Sequence, residues 1–177
     1  MISWESIVSE KSEAERAAEA ARLACRMDAV QYAAGRYRSS GAVRKKLLEK
    51  GHSCELIAEI MPGLAHDGYL HDDALAASLA RERRGRKAES QQALAQRMRR
   101  LGIKEDSIYE ALAGAESDFT LVGEFLSQQA AHLIDVWLHD VDNYVDSQKA
   151  LAAIMRKAAS RGFGSQITLD WLRRNYP

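Results

Sequence analysis

Three stretches decide the fold: VRKKLLEKG at residues 43–51, LAQRMRRLG at 94–102 and IMRKAASRG at 154–162. Each closes on a glycine, the residue that most easily takes the left-handed conformation in which helices end. The offsets from that glycine repeat. Eight residues before Gly51, Gly102 and Gly162 stand Val43, Leu94 and Ile154, and four before stand Leu47, Met98 and Ala158. These two positions lie one turn apart on one helix face. Ten residues after the glycines stand Met61, Leu112 and Leu172. Five before stand the cations Lys46, Arg97 and Lys157. Six after, the register slips: Ile57 and Ile108 are answered by Thr168, and Ile167 next to it is assigned the apolar role.

Around these anchors the chain reads as helix throughout. Ala, Leu, Glu, Arg, Lys and Gln dominate the 177 residues, and only two prolines occur, Pro62 and Pro177. Such residues lose little side-chain freedom in a helix. A long Ala-rich helix is expected over 13–37, then helices ending at Lys50 and running from Cys54 to Leu64, where Pro62 should kink or end the helix. Ser39 and Ser53 are candidate N-caps. Further helices are expected over 72–84, 90–101, 105–113, 119–138, 147–161 and 165–175. The expected fold class is therefore all-α: three tandem three-helix repeats, helix-turn-helix-like, over 13–66, 67–115 and 116–177, forming an elongated, curved molecule. One three-helix unit has too little core to stand alone, so neighbours should stack.

Formal net charge is zero, with 25 basic and 25 acidic residues. The start, MISWESIVSEKSEAER, has no basic region followed by an apolar run, so no signal peptide is expected. No stretch approaches the roughly 20 apolar residues of a membrane span. Cys25 and Cys54 lack metal-ligand spacing and suit free thiols in a reducing cytoplasm.

The motifs around the glycines resemble those of the RecX family. Arg36, Ser39, Val43, Lys46, Leu47, Lys50 and Gly51 follow one family pattern, and Gly68, Tyr69, Leu70, Asp72, Leu75 and Ala76 a second. Leu94, Arg97, Met98, Leu101, Gly102 and Ile103 follow a third, and Arg161-Gly162-Phe163 resembles a fourth. Together they cover Arg22 to Asn175. The sequence departs from the family where Ala42 and Arg97 replace acids and where Leu75 replaces an aromatic. The resemblance implies a monomeric cytoplasmic regulator that lies in the groove of the RecA–single-stranded DNA filament. There it restrains filament growth, ATP hydrolysis, strand exchange and LexA self-cleavage. It implies no catalytic residue, no cofactor and no membrane, with duplex DNA as a weaker second ligand.

The residues themselves single out a set of cations as the candidate filament- and DNA-binding face: Arg36, Arg38, Arg44, Lys46, Lys50, Arg81, Arg84, Arg86, Lys87, Arg97, Arg100, Lys157 and Arg161. Acids gather elsewhere, including Glu116, Asp118 and Glu124, which reads as one basic face and one acidic arm. Among the aromatics, Tyr37 between Arg36 and Arg38 is the candidate for stacking on a base. The stretch His66–Asp73, with His52 upstream, is faintly similar to helical HD phosphohydrolases. Its candidate ligands crowd a single turn, however, and metal sites need ligands converging from fixed elements. No phosphate-binding glycine loop or nucleophile motif occurs, so an enzyme is the weakest class. Two alternatives stand beside a filament regulator: a helix-turn-helix-like DNA-binding transcriptional regulator, and a protein adaptor that does not touch DNA.

Overall fold

The computed structural model describes residues 4–139 and 144–177, with side chains from residue 12 onward. Every regular element among them is helical: α1 (Trp4–Ala33), α2 (Ser40–Glu49), α3 (Cys54–His66), α4 (Asp72–Glu82), α5 (Gln91–Arg100), α6 (Glu105–Ala113), α7 (Asp118–Gln129), α8 (Ala131–His139), α9 (Tyr144–Ser160) and α10 (Ser165–Asn175). A short 3-10 turn, Gly85–Lys87, separates α4 from α5. The chain divides into two compact units, Met1–Leu75 with Leu101–Lys104, and Ala76–Arg100 with Glu105–Pro177.

The three glycines end their helices as the sequence predicts. Gly51, Gly102 and Gly162 have φ of 88°, 72° and 80°. At Gly51 the amide donates to Leu48 O and that of His52 to Leu47 O; at Gly162 the pattern repeats with Ala159 and Phe163 with Ala158. This is the Schellman arrangement, which satisfies carbonyls the helix leaves open. Val43, Leu94, Ile154, Leu47, Met98 and Ala158 are all buried. Thr168 corrects the expected slip. It is fully buried in register with Ile57 and Ile108, whereas Ile167 is only half-buried. Its hydroxyl donates to Gly164 O at 2.9 Å, so the position accepts a β-branched polar residue without an unpaired donor.

Three helix boundaries differ from expectation. α1 starts earlier and ends at Ala33. α3 passes through Pro62 and ends only at His66. Proline frees a single carbonyl, that of Ala58, and both residues are exposed, so water can take it. The helix expected over 119–138 is two helices, because Ala130 leaves helical geometry at φ −134°. No glycine or proline marks that break. Its effect is to bring Ile134 of α8 into the core that Leu121, Val122, Phe125 and Leu126 of α7 line. In the first unit, the core is Cys25, Ala29 and Ala33 of α1 with Val43, Leu47, Ile57, Met61 and Leu64.

Each unit contains the same junction between a helix start and a glycine turn. In the first, Ser39 caps α2 at Ala42 N and its hydroxyl also donates to Leu101 O. Gly41 N donates to Gly102 O at 2.9 Å. The carboxylate of Asp72, the first residue of α4, accepts Ser40 N at 3.1 Å. In the second, Ser90 caps α5 at Ala93 N, Ser90 N donates to Arg161 O at 2.9 Å, and Asp118, the first residue of α7, accepts Gln91 N at 2.8 Å. Ser39 and Ser90 each stand twelve residues before their own glycine. The corresponding position before Gly162 is Ala150, inside α9, and the space a Cβ would take at Gly51 is open.

Candidate functional site

The candidate cations fall into three groups. Five carry carboxylate partners: Lys46 with Glu49, Lys50 with Asp28, Arg84 with Glu116 and Glu124, Lys87 with Glu82, and Arg97 with Glu89. Arg36, Arg44, Arg81, Arg86, Arg100 and Lys157 are exposed and pair with no carboxylate among the described residues. Arg38 and Arg161 lie over aromatic rings, Tyr32 at 4.5 Å and Phe125 at 5.6 Å. The recurring position five before each glycine is thus not uniform. Lys46 and Arg97 are half-buried and paired, and Lys157 is exposed.

In the second unit the separation into a basic face and an acidic arm fails. The 3-10 turn and the start of α7 bring both signs together. Arg84 bridges Glu116 at 3.1 Å and Glu124 at 2.9 Å, and Glu124 also accepts Gly85 N at 3.1 Å. Arg83, next to Arg84, is not a surface cation: its side chain has no exposed area. Its Nε donates to Glu89 O at 2.6 Å, and its Nη2 to Glu116 O at 3.2 Å and to the Asp118 carboxylate. Burial lowers its pKa and the neighbouring Asp118, Glu89 and Glu116 push it back up, so the guanidinium stays charged. Arg83 stands one residue past the end of α4, seven after Ala76, where the apolar stripe of the helix carried one step further would place it inward.

In the first unit, the segment from Ala34 to Arg38 joins α1 to α2. Gly35, at φ 76°, turns the chain out of α1. Arg38 O accepts His71 N at 3.1 Å, which ties the segment to the start of α4. Tyr37 stands 68% exposed, and its ring meets His71 edge-on with centroids 4.7 Å apart. Gly35, Arg36, Tyr37 and His71 line an open hollow of about 330 Å³. A second cleft, about 540 Å³, has an apolar floor of Met61, Pro62 and Leu70, with Arg44 and Lys104 among its lining residues.

The histidine- and aspartate-rich turn is divided among separate tasks. Asp67 pairs with Arg26, Asp72 holds Ser40 N, His71 meets Tyr37, and His52 lies 2.8 Å from Asp28. Lys50 and His52 together hold the Asp28 carboxyl below its usual range, through hydrogen bonds first and charge second. Among the described residues no three His, Cys, Asp or Glu side chains converge as a metal requires, and no helix is long and apolar enough to cross a membrane.

No family model matches the sequence, and none of the curated proteins does. Solved structures do. A crystal structure described as regulatory protein RecX superimposes with a TM-score of 0.67 at 19% identity, covering 91% of this chain and 77% of its own. RecX from Lactobacillus salivarius gives 0.65 at 14% identity, covering 88% and 97%. The all-helical order, the glycine-ended helices and these superpositions lead to one conclusion: the chain has the RecX fold.

Proposed function

We propose that the protein is a RecX-like regulator that binds recombinase–single-stranded DNA filaments and restrains their ATP hydrolysis, strand exchange and co-protease activity. The observation that carries this reading is the fold, shared with RecX structures over 91% of the chain. The repeated junction at Ser39 and Ser90 supports the further reading of three tandem repeats, which suits an elongated partner. The protein acts by binding, as a monomer in the cytoplasm, without a cofactor or a catalytic step.

Within this reading the cations without carboxylate partners are the candidates for phosphate contact. Arg36 and Arg44 serve in the first unit, and Arg81, Arg86, Arg100 and Lys157 in the second. Lys46, Lys50, Arg84, Lys87 and Arg97 would have to leave an existing partner, which lowers their net gain.

The test is direct. The protein is added to RecA polymerised on single-stranded DNA, and ATP hydrolysis is followed. Inhibition at stoichiometric amounts is expected. An unchanged rate at molar excess overturns the reading.

A further inference from the structure

We infer that Tyr37 is a base-stacking platform for single-stranded nucleic acid, with Arg36 beside it as the phosphate contact. The inference deepens the proposed function and rests on it.

Four observations carry it. Tyr37 is 68% exposed, in a protein whose other large apolar side chains are mostly buried or half-buried. A lone exposed aromatic is ordinary, but one held still offers a ready stacking face. Held it is: Gly35 turns the backbone out of α1, His71 N bonds to Arg38 O at 3.1 Å, and the His71 ring meets Tyr37 at 80°. An edge-on neighbour leaves ring surface free, and the hollow of about 330 Å³ beside it is open to a flat ligand. Finally, the charge along this stretch of chain is one-sided, the nearest acid the fold adds being the buried Asp72 that accepts Ser40 N. Between Asp28 and Glu49 the chain has no carboxylate and five cations, Arg36, Arg38, Arg44, Lys45 and Lys46. Arg38 is fixed over Tyr32 at 4.5 Å.

A rigid aromatic among cations matches a polyanion whose flat bases are free to stack. It matches a duplex poorly, because paired bases present only their edges. Tyr109 shows the contrast. It is more exposed, at 77%, but stands among Glu105, Asp106 and Glu110, a setting that repels phosphate.

The experiment uses the full chain without recombinase, so that its outcome is independent of the filament assay. Fluorescein-labelled oligothymidylate and oligouridylate of about fifteen nucleotides are titrated in parallel by anisotropy at low salt. The tighter of the two identifies the natural polymer. Tyr37→Ala is expected to weaken binding roughly 5- to 100-fold, the usual worth of one stacked base. Tyr37→Phe should bind within about twofold of the parent, and so should Tyr109→Ala. The same oligonucleotide with abasic sites should bind the parent and Tyr37→Ala alike, because no base is left to stack. Circular dichroism confirms that the variants fold.

Three results overturn the inference. The parent binds neither polymer, Tyr37→Ala binds as the parent does, or its defect persists on abasic DNA. Retained oligonucleotide binding with lost filament inhibition would place Tyr37 against the recombinase and also overturn it. Conversely, a base-dependent defect in a protein that leaves filament ATPase unchanged keeps the platform and removes the filament reading.

Discussion

Gly41 and Gly102 meet backbone to backbone. The amide of Gly41 donates to the carbonyl of Gly102 at 2.9 Å, and a Cβ on Gly41 would lie 2.6 Å from Gly102 Cα. No side chain fits between two main chains at that distance, and neither chain segment can move aside without losing the hydrogen bond.

Gly41→Ala should therefore destabilise the protein by about 2–3 kcal/mol, an overpacking cost. Gly51→Ala meets open space and carries only the left-handed backbone penalty, about 1–2 kcal/mol. Urea melts of both variants check this ordering. Equal midpoints would contradict the close approach.

Arg83 and Arg84 are adjacent in sequence and should differ widely on mutation. Arg83→Met removes a fully buried guanidinium and takes a donor from Glu89 O, Glu116 O and the Asp118 carboxylate, which keeps only Gln91 N, at about 3–5 kcal/mol. The Arg84 side chain is 59% exposed, and Arg84→Ala should cost under about 1 kcal/mol despite its two acidic partners. Thermal unfolding of the pair separates a clamp from a surface bridge.

Asp28 gives the first unit an acid-side weakness. Its folded pKa lies below the ordinary aspartate value of about 4, held down by Lys50 and His52. At pH above the unfolded value the stabilisation is complete, and it is lost as pH falls through the folded value. Asp28→Asn should accordingly be less stable than the parent at pH 7, with the gap narrowing below about pH 4. Denaturant midpoints between pH 7 and 3 report it, and a gap that stays constant with pH would contradict the linkage.

The two cysteines should be told apart by a thiol reagent. Cys54 is exposed at the start of α3, whereas Cys25 is buried, and burial raises its pKa, with Asp28 adding to the effect. One thiol per chain should react in the native protein and the second only on unfolding. Two fast thiols would show that α2 and α3 do not stay packed over the Cys25 face of α1.

Much of the skeleton was legible in the sequence because it is periodic and local. The glycines, the apolar positions eight and four before them, and the Ser39 and Ser53 caps each depend on residues within a few turns. Thr168 was misjudged because periodicity registers polarity, not whether a hydroxyl finds a carbonyl four residues back. Which cations carry a carboxylate partner was illegible for the opposite reason. Whether Arg84 is free depends on Glu124, forty residues away, and nothing local to either residue announces the pairing. The break at Ala130 belongs to the same class, being imposed by the core rather than by a helix breaker. Tyr37 was visible by its neighbours in sequence. Its exposure and its contact with His71 required the fold.

The junction that Ser39 makes with Leu101, and Ser90 with Arg161, has a donor side and an acceptor side. Among the described residues the space beside Gly51 is open, and twelve residues before Gly162 the serine is replaced by Ala150 within a continuous helix. A joint of unlike halves can in principle extend without limit, from one molecule to the next. Here neither outer half is complete: Ala150 has no hydroxyl to offer, and Gly51 has open space beside it, so single residues limit how far such a joint can be continued.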